Sequence, residues 1–334
     1  MVCPLSVRAK CAIRSVEDAR APGKRSGTVA RVDATSFVVK DRLCSNHPRA
    51  ARNSVSENQM RIRKFVLVAT LAFAQHAGAQ QASGIIQAAE AGDAAAVEQL
   101  LNRGADPNTR TPDGDTVLHV AAARGGVDVI KVLLARNVGV DTPGNGGGTP
   151  LHRAAATGNT NAVALLIARG AKVDAPDRSG ETPLYVASEK GQIGAVRLLL
   201  DYHASPNART ANGEVPLHGA AMSGNGPLVE ALLKGKASPN LVNRDDEAPL
   251  FWAAATGMAD ASRRLLAYGA LPNARDKRGN TALHGAADGG HVEVVLLLLS
   301  RNADRSIRNT DGLTAADVAR GRGYDQVLKA LGAR

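Results

Sequence analysis

Residues 148–155 read GTPLHRAA, and this stretch decides the fold because it recurs along the chain. Thr149 can cap the free N–H groups at the start of a helix, and Pro150 is tolerated in the first turn because its missing N–H would be unpaired there. Two alanines follow where neighbouring helices must approach closely, and Gly158 then ends the helix. The stretch therefore predicts a short helix with its own start and stop signals.

A second helix is predicted directly after Gly158. It carries one apolar stripe, made of Val163, Leu165, Leu166 and Ile167, and Gly170 ends it. Residues 171–174 then lead into a turn that closes on the next unit. One such helix pair cannot bury its own apolar face, so it must stack against copies of itself.

Six related segments confirm the repetition: DTVLHVAA, ETPLYVAS, EVPLHGAA, EAPLFWAA, NTALHGAA and LTAADVAR. The motif leucine recurs every 33 residues, at Leu118, Leu151, Leu184, Leu217, Leu250 and Leu283. Period and motif resemble the ankyrin repeat over about residues 83–334. The resemblance implies an all-α solenoid of stacked helix-turn-helix units with hairpin-like turns between repeats.

The repeat array divides into three parts. Residues 83–112 keep the helical half of a repeat without the motif, which is typical of an N-terminal capping repeat. Residues 113–310 form six full repeats of 33 residues. Residues 311–334 carry a changed motif at Thr314 and are predicted to form the C-terminal capping repeat.

Composition excludes several classes of protein. Aromatic residues make up only 3% of the chain, so a core of Leu, Val, Ile and Ala is expected. The formal charge of +10 is concentrated in residues 1–79, which hold 14 Lys/Arg and 5 Asp/Glu, whereas residues 80–334 hold 27 and 26. A nucleic-acid footprint should lie on the folded part, so nucleic acid is excluded as a partner. All three cysteines precede residue 60, which leaves no thiolate zinc site in the repeats.

A secretory signal peptide is predicted at residues 60–79. Met60 opens a basic segment, residues 65–74 (FVLVATLAFA) are apolar, and Ala77-Gly78-Ala79 is a small-x-small cleavage site. The apolar run is shorter than the ~20 residues that span a bilayer. We therefore expect cleavage near Ala79, a periplasmic or secreted mature chain, and no stable membrane insertion of that chain.

Residues 1–59 show neither helical nor strand periodicity. The interpretation we favour is upstream sequence from a mis-assigned start, with Met60 as the initiator. One alternative is a disordered tail, with residues 65–74 as a buried patch or weak anchor. Another is a transit peptide, which the acidic residues Glu17, Asp18, Asp33 and Asp41 disfavour.

Two patterns look chemical but have a structural explanation. His119, His152, His218 and His284 occupy one motif position in separate repeats, so they cannot converge on one metal ion, and bonds to backbone and to the motif threonine are expected instead. Residues 144–148 (GNGGG) lack the lysine of a phosphate-binding loop and fall in a turn. No catalytic motif is present in residues 80–334. The sequence thus predicts a non-enzymatic protein without cofactor or metal.

The family resemblance implies a concave groove, lined by turn tips and by the exposed faces of the first helices, that binds another protein. Large or charged side chains at these positions differ between repeats, which suggests a surface fitted to one partner. The predicted binding residues are Arg178, Glu181, Glu189, Lys190, Arg244, Glu247, Trp252, Lys277 and Arg278. We expect the centre of the groove to lie over the repeats that bear Arg178 to Trp252, and Arg197 to lie on the opposite side.

Trp252 is the sharpest candidate because it is the only tryptophan, and tryptophan is enriched among interface hot spots. Two roles stay open for it. It could anchor the partner, or it could fill space against the neighbouring repeat, where Gly219 and Gly285 would leave room.

Three functions remain compatible with a monomeric binding protein. The first is an exported interaction module, the second a periplasmic inhibitor or immunity protein for a secreted toxin or lipase, and the third a secreted effector that binds a host protein. A toxin or lipase gene beside this one would favour the second, and a foreign partner in a pull-down would favour the third. The sequence does not identify the partner.

Overall fold

Each copy of the motif begins a helix, and the second copy, at residues 148–155, shows how. The backbone N–H of Thr149 donates to Nδ1 of His152 at 3.0 Å, and the Thr149 hydroxyl lies 3.0 Å from the same nitrogen. Pro150 is the first residue of the helix, and Gly158 ends it with a left-handed φ of 73°. Leu151 is fully buried. The start and stop signals predicted from the sequence therefore act where expected.

The computed structural model describes residues 81–333, all of which belong to one unit of the chain. The predicted signal peptide and residues 1–59 lie outside the described residues. Within residues 81–333 there are sixteen α-helices: α1 (81–91), α2 (Ala94–Asn102), α3 (Val117–Arg124), α4 (Val127–Leu134), α5 (Pro150–Thr157), α6 (Thr160–Ala168), α7 (Pro183–Glu189), α8 (Ile193–Asp201), α9 (Pro216–Ser223), α10 (Gly226–Lys234), α11 (Pro249–Ala255), α12 (Ala259–Ala267), α13 (Ala282–Asp288), α14 (Val292–Leu299), α15 (Ala315–Arg322) and α16 (Asp325–Ala330).

The helices pack in two rows. The helices that begin at the motif, α3, α5, α7, α9, α11, α13 and α15, form the inner row, and each contacts the next along the row. Their partners, α4 to α16 by even number, form the outer row and also contact in sequence. The motif leucines lie between the rows and are at most 1% exposed. The prediction of an all-α solenoid of stacked helix pairs is confirmed.

A five-residue turn, here called a tip, precedes each inner helix from α3 onward: residues 111–115, 144–148, 177–181, 210–214, 243–247, 276–280 and 309–313. In every tip the first N–H donates to the fifth carbonyl oxygen, at 2.7–3.0 Å. The fourth residue adopts a left-handed φ, which suits glycine because it has no Cβ. Glycine occupies that place in six tips, and Asp246, with φ 61°, occupies it in the seventh.

Consecutive tips are joined by backbone hydrogen bonds. Between the last six tips, the third carbonyl oxygen of one tip accepts from the second N–H of the next, for example Ser179 from Ala211 at 2.7 Å and Asn212 from Arg244 at 2.8 Å. The same bond links Asp245 to Lys277 at 3.0 Å. These bonds fix the spacing of the tips, so side chains on neighbouring tips form one wall.

The two ends of the described chain are single helix pairs. Helices α1 and α2 are the first described pair, and α15 and α16 are the pair that follows the tip at 309–313. Between residues 81 and 333, none of the helices has the length and apolar character needed to cross a membrane.

Candidate protein-binding groove

The motif histidines bridge neighbouring repeats. His119 Nε2 lies 3.0 Å from the carbonyl oxygen of Gly148, and His152 Nε2 lies 3.0 Å from that of Glu181. His218 and His284 make the same contact 29 residues ahead, with Glu247 and Leu313. The predicted bond to the motif threonine is present for His119, His152 and His284, whereas His218 bonds only to the backbone because Val215 stands at the threonine position. The bond across the joint, meaning the contact between two consecutive repeats, is an additional role that the sequence analysis missed.

The geometry fixes the protonation of these rings. Because a carbonyl oxygen only accepts, Nε2 must carry the proton, and Nδ1 accepts from the backbone N–H at the start of the helix. Burial lowers the pKa of all four histidines below the ordinary value, and the carbonyl bond only partly opposes it. Among residues 81–333, His, Cys, Asp and Glu side chains nowhere come together as a possible metal site.

Two joints depart from this pattern. Tyr185 replaces histidine, and its hydroxyl donates to Oε2 of Glu214 at 2.6 Å, so that joint is bridged through a carboxylate. Burial raises the pKa of Tyr185 above its ordinary range. Phe251 occupies the same position two repeats after Tyr185. Its side chain has no atom that could donate a hydrogen bond to the carbonyl oxygen of Asn280.

Carboxylates line the groove around the third full repeat. Glu181 is half-buried, and burial together with the negative charges of Asp177, Glu189 and Glu214 raises its pKa, which Lys190 only partly offsets. Glu189 and Lys190 are exposed at the end of α7, with Nζ of Lys190 3.3 Å from Oε1 of Glu189. Three predicted binding residues, Glu181, Glu189 and Lys190, thus lie in one electrostatic group.

Trp252 is half-buried in the joint between α9 and α11. Its Nε1 donates to Oε2 of Glu247 at 2.8 Å, and its ring meets His218 edge-on with centroids 5.2 Å apart. Two predicted binding residues, Trp252 and Glu247, are therefore bonded to each other. These contacts give the ring a packing role in the joint, and its role in binding stays a prediction.

The expectation that Gly219 and Gly285 leave room at the Trp252 position is wrong. A Cβ on Gly219 would lie 3.0 Å from the backbone nitrogen of Glu189, and one on Gly285 would lie 3.2 Å from Cβ of Ala255. Both glycines let the preceding inner helix approach closely. A tryptophan at 252 does not permit the same approach between α9 and α11.

Four of the five basic residues of the predicted site lie on tips. Arg178, Arg244, Lys277 and Arg278 are all exposed, and their backbones take part in the row of hydrogen bonds between tips. They are held at fixed spacing on one wall, with their side chains accessible to a partner.

A cavity of about 860 Å³ lies over α11, α13 and α15 and their tips. Glu247, Lys277 and Arg278 line it, whereas the other six predicted binding residues do not. The cavity thus lies nearer the C-terminal end than the centre we expected from the sequence. Its lining also includes Phe251, Leu313 and Val318, which the sequence analysis did not select.

Three glycines, Gly285, Gly289 and Gly321, line the cavity. Only Gly321 faces open space, because a Cβ placed on it would meet no atom within 4 Å, whereas a Cβ on Gly285 or Gly289 would meet Ala255 or His291. At the repeat position of Gly321, two other units carry the large side chains of Glu189 and Met222. The glycine at 321 was the signal in the sequence that could have indicated the cavity.

Arg197, expected on the side opposite the groove, lies on the outer helix α8. It lines a separate cavity of about 510 Å³ with residues of α10, including Glu230 and Lys234. A residue in a cavity is a poor control for a binding experiment. Arg263 on α12 is exposed and lies 3.5 Å from Glu293, so it serves that purpose better.

Comparisons with known proteins agree with this architecture. The family model for ankyrin repeats, in three copies, matches residues 85–177, 143–210, 172–243, 217–311 and 250–331. A search of curated proteins gave no match. Among solved structures, the chain is similar to the crystal structure of the human ASB11 ankyrin repeat domain, with 29% identity and a TM-score of 0.60 over 66% of this chain and 98% of that one.

Proposed function

Because the chain belongs to the ankyrin-repeat family, we propose that it is an exported, non-enzymatic module that binds a partner protein through its groove. Ankyrin repeats are protein–protein interaction modules, and the fold is generally non-enzymatic. The observation that carries the proposal is the wall of charged tips, held at fixed spacing by backbone bonds, beside an open cavity of about 860 Å³.

The groove has the features of a recognition surface. Its framework residues recur in every repeat and are buried, whereas the exposed second position of the tip changes from Arg178 to Ala211, Arg244 and Lys277. Buried framework residues satisfy packing, so packing gives no reason for this variation. Charged side chains on a rigid wall favour specificity and fast association with a partner of complementary charge.

The binding experiment uses purified residues 80–334 as bait for proteins from the native host, followed by measurement of affinity for the captured partner. Arg178→Ala with Arg244→Ala should weaken binding by about tenfold or more, since interface arginines are often hot spots. Arg263→Ala on the outer row should leave affinity unchanged. A double variant that folds like the parent yet keeps full affinity would place the partner elsewhere.

Export is a separate part of the proposal and rests on residues 60–79. Fractionation of the native host, followed by sequencing of the mature N-terminus, tests it. We expect a chain that begins near Gln80 in the periplasm or medium. A cytoplasmic chain that retains these residues would disprove export without affecting the binding proposal.

A further inference from the structure

The C-terminal cavity carries an excess of negative charge. Six carboxylates line it, from Asp245, Glu247, Asp276, Asp288, Asp311 and Asp317, against three cations, from Lys277, Arg278 and Arg322. Arg322 is already paired, because its Nε and Nη2 donate to Asp288 at 2.7 and 3.2 Å. Asp317 is also paired, with Arg320 at 2.9 Å and Arg308 at 3.7 Å. The two exposed cations in the middle of the tip, Lys277 and Arg278, are fewer than the four remaining acids, which are Asp245, Glu247, Asp276 and Asp311.

Glu247, Phe251 and Asp276 come together on one side of this cavity. The same three residues also line a second, smaller cavity, so they are neighbours across the joint between α11 and α13. Glu247 Oε2 accepts from Trp252 and Asn243, both at 2.8 Å, and Asp276 accepts two bonds from Asn280. A carboxylate has about four acceptor sites, so both groups can accept further hydrogen bonds.

The joint between α11 and α13 also lacks the side-chain hydrogen-bond donor that the motif histidines supply in other joints. Four joints have an imidazole Nε2 on the carbonyl of the next tip, and a fifth has the Tyr185 hydroxyl. Phe251 offers only an aromatic ring. The side of the cavity thus combines carboxylates that can accept bonds, a carbonyl without its usual donor, and a half-buried ring.

We propose, on the basis of the proposed function, that this cavity receives an arginine side chain from the partner's bound segment. A guanidinium carries five donors in a planar fork and stacks on aromatic rings, so it matches Glu247, Asp276 and Phe251 together. An ammonium has three donors around a compact, strongly hydrated charge and matches this set less well. Gly321, where a Cβ would meet no atom within 4 Å, leaves space for the segment that carries the arginine.

Gly321 allows a test that fills the cavity without disturbing the stack. It lines the cavity and lies within α15, and a Cβ placed on it would meet no atom within 4 Å. Gly321→Phe therefore occupies the cavity. Gly321→Ala is the matched control, because it removes the same glycine from the same helix but adds only a methyl group.

The probe is a displayed library of random 12-residue peptides, selected on purified residues 80–334. We expect arginine to be enriched in the selected peptides. Their affinity should fall about tenfold in Gly321→Phe and in the Glu247→Gln/Asp276→Asn double variant, and stay within about twofold in Gly321→Ala. Circular dichroism and melting curves show that each variant is folded.

Selected peptides without basic residues, or peptides that bind Gly321→Phe as well as Gly321→Ala, would overturn this inference. If the library yields no binder while the bait still captures a partner from the native host, the inference fails and the proposed function stands. If neither experiment yields a binder, both fail.

Discussion

Ser262 is a buried polar residue whose replacement should stabilise the protein. It lies in the outer helix α12 with 0% exposure, and its hydroxyl has no hydrogen-bond partner. By contrast, the buried hydroxyl of Ser188 donates to the carbonyl oxygen of Leu184 at 2.7 Å. At the position of Ser262 the other units carry fully buried aliphatic residues, namely Val97, Ile130, Val163, Val196, Val229 and Val295.

The magnitude for Ser262→Val follows from two terms. Leaving a hydroxyl buried without a partner costs about 1–3 kcal/mol. Each additional buried methyl group contributes about 0.8 kcal/mol where space allows, and the six aliphatic residues at this position indicate that the repeat accommodates valine. After the small loss of helix propensity, the free energy of unfolding should rise by about 1–2 kcal/mol. Tm should rise by about 3–6 °C for a chain of this size.

The assay is chemical and thermal unfolding of residues 80–334, followed by circular dichroism, with hydrogen exchange of α12 as a local readout. Ser262→Thr is the decisive control because threonine has the shape of valine but keeps the hydroxyl. We expect the free energy of unfolding of Ser262→Val to exceed that of Ser262→Thr by about 1 kcal/mol or more. Equal stability of the two variants would refute the reasoning about the hydroxyl, and destabilisation by both would show that the site has no room.

Three further predictions concern the joints and tips. The pKa of each motif histidine is lowered by burial, so the unfolded chain, with its ordinary pKa of ~6.5, binds more protons below that pH. The contribution of these histidines to the free energy of unfolding should therefore be fully present above pH ~6.5 and be lost as the pH falls below that value. Melting curves should show a weaker dependence of Tm on pH for His152→Tyr than for the parent. Asp246→Gly should raise the free energy of unfolding in urea by about 0.5 kcal/mol, because Asp246 is the one non-glycine residue at the left-handed fourth position of the seven tips. A lower free energy of unfolding would contradict this prediction. Trp252→Ala should lower the free energy of unfolding by about 2 kcal/mol, since it removes a half-buried ring and its bond to Glu247. Trp252→Phe should lower it by about half as much. Thermal melting of both variants measures this, and no loss in either would rule out the packing role.

The fold was predictable because its signals are local and repeated. The threonine, proline and glycine of residues 149–158 act within one helix, and the 33-residue step places each leucine between the same two rows. No contact between distant elements had to be guessed, since each repeat packs only on its neighbours.

The groove was less predictable because its features depend on pairs of repeats. The bond from His119 to Gly148 spans 29 residues and exists only once the repeats stack. Gly219 looked like empty space in the sequence, but the Glu189 backbone fills it in the structure. The cavity is lined by glycines of the last two units, and a selection based on large and charged residues overlooks it.

The joints described above also determine how the length of this protein can change. Every bridge made by a motif histidine joins residues 29 apart, and the tip-to-tip bonds between the last six tips join residues 32 apart. If residues 120–152 were excised in frame, His119 would face the carbonyl of Glu181 in the same geometry that it now has with Gly148. A gene of this kind can thus gain or lose whole 33-residue blocks by recombination, with every junction rebuilt from parts already present.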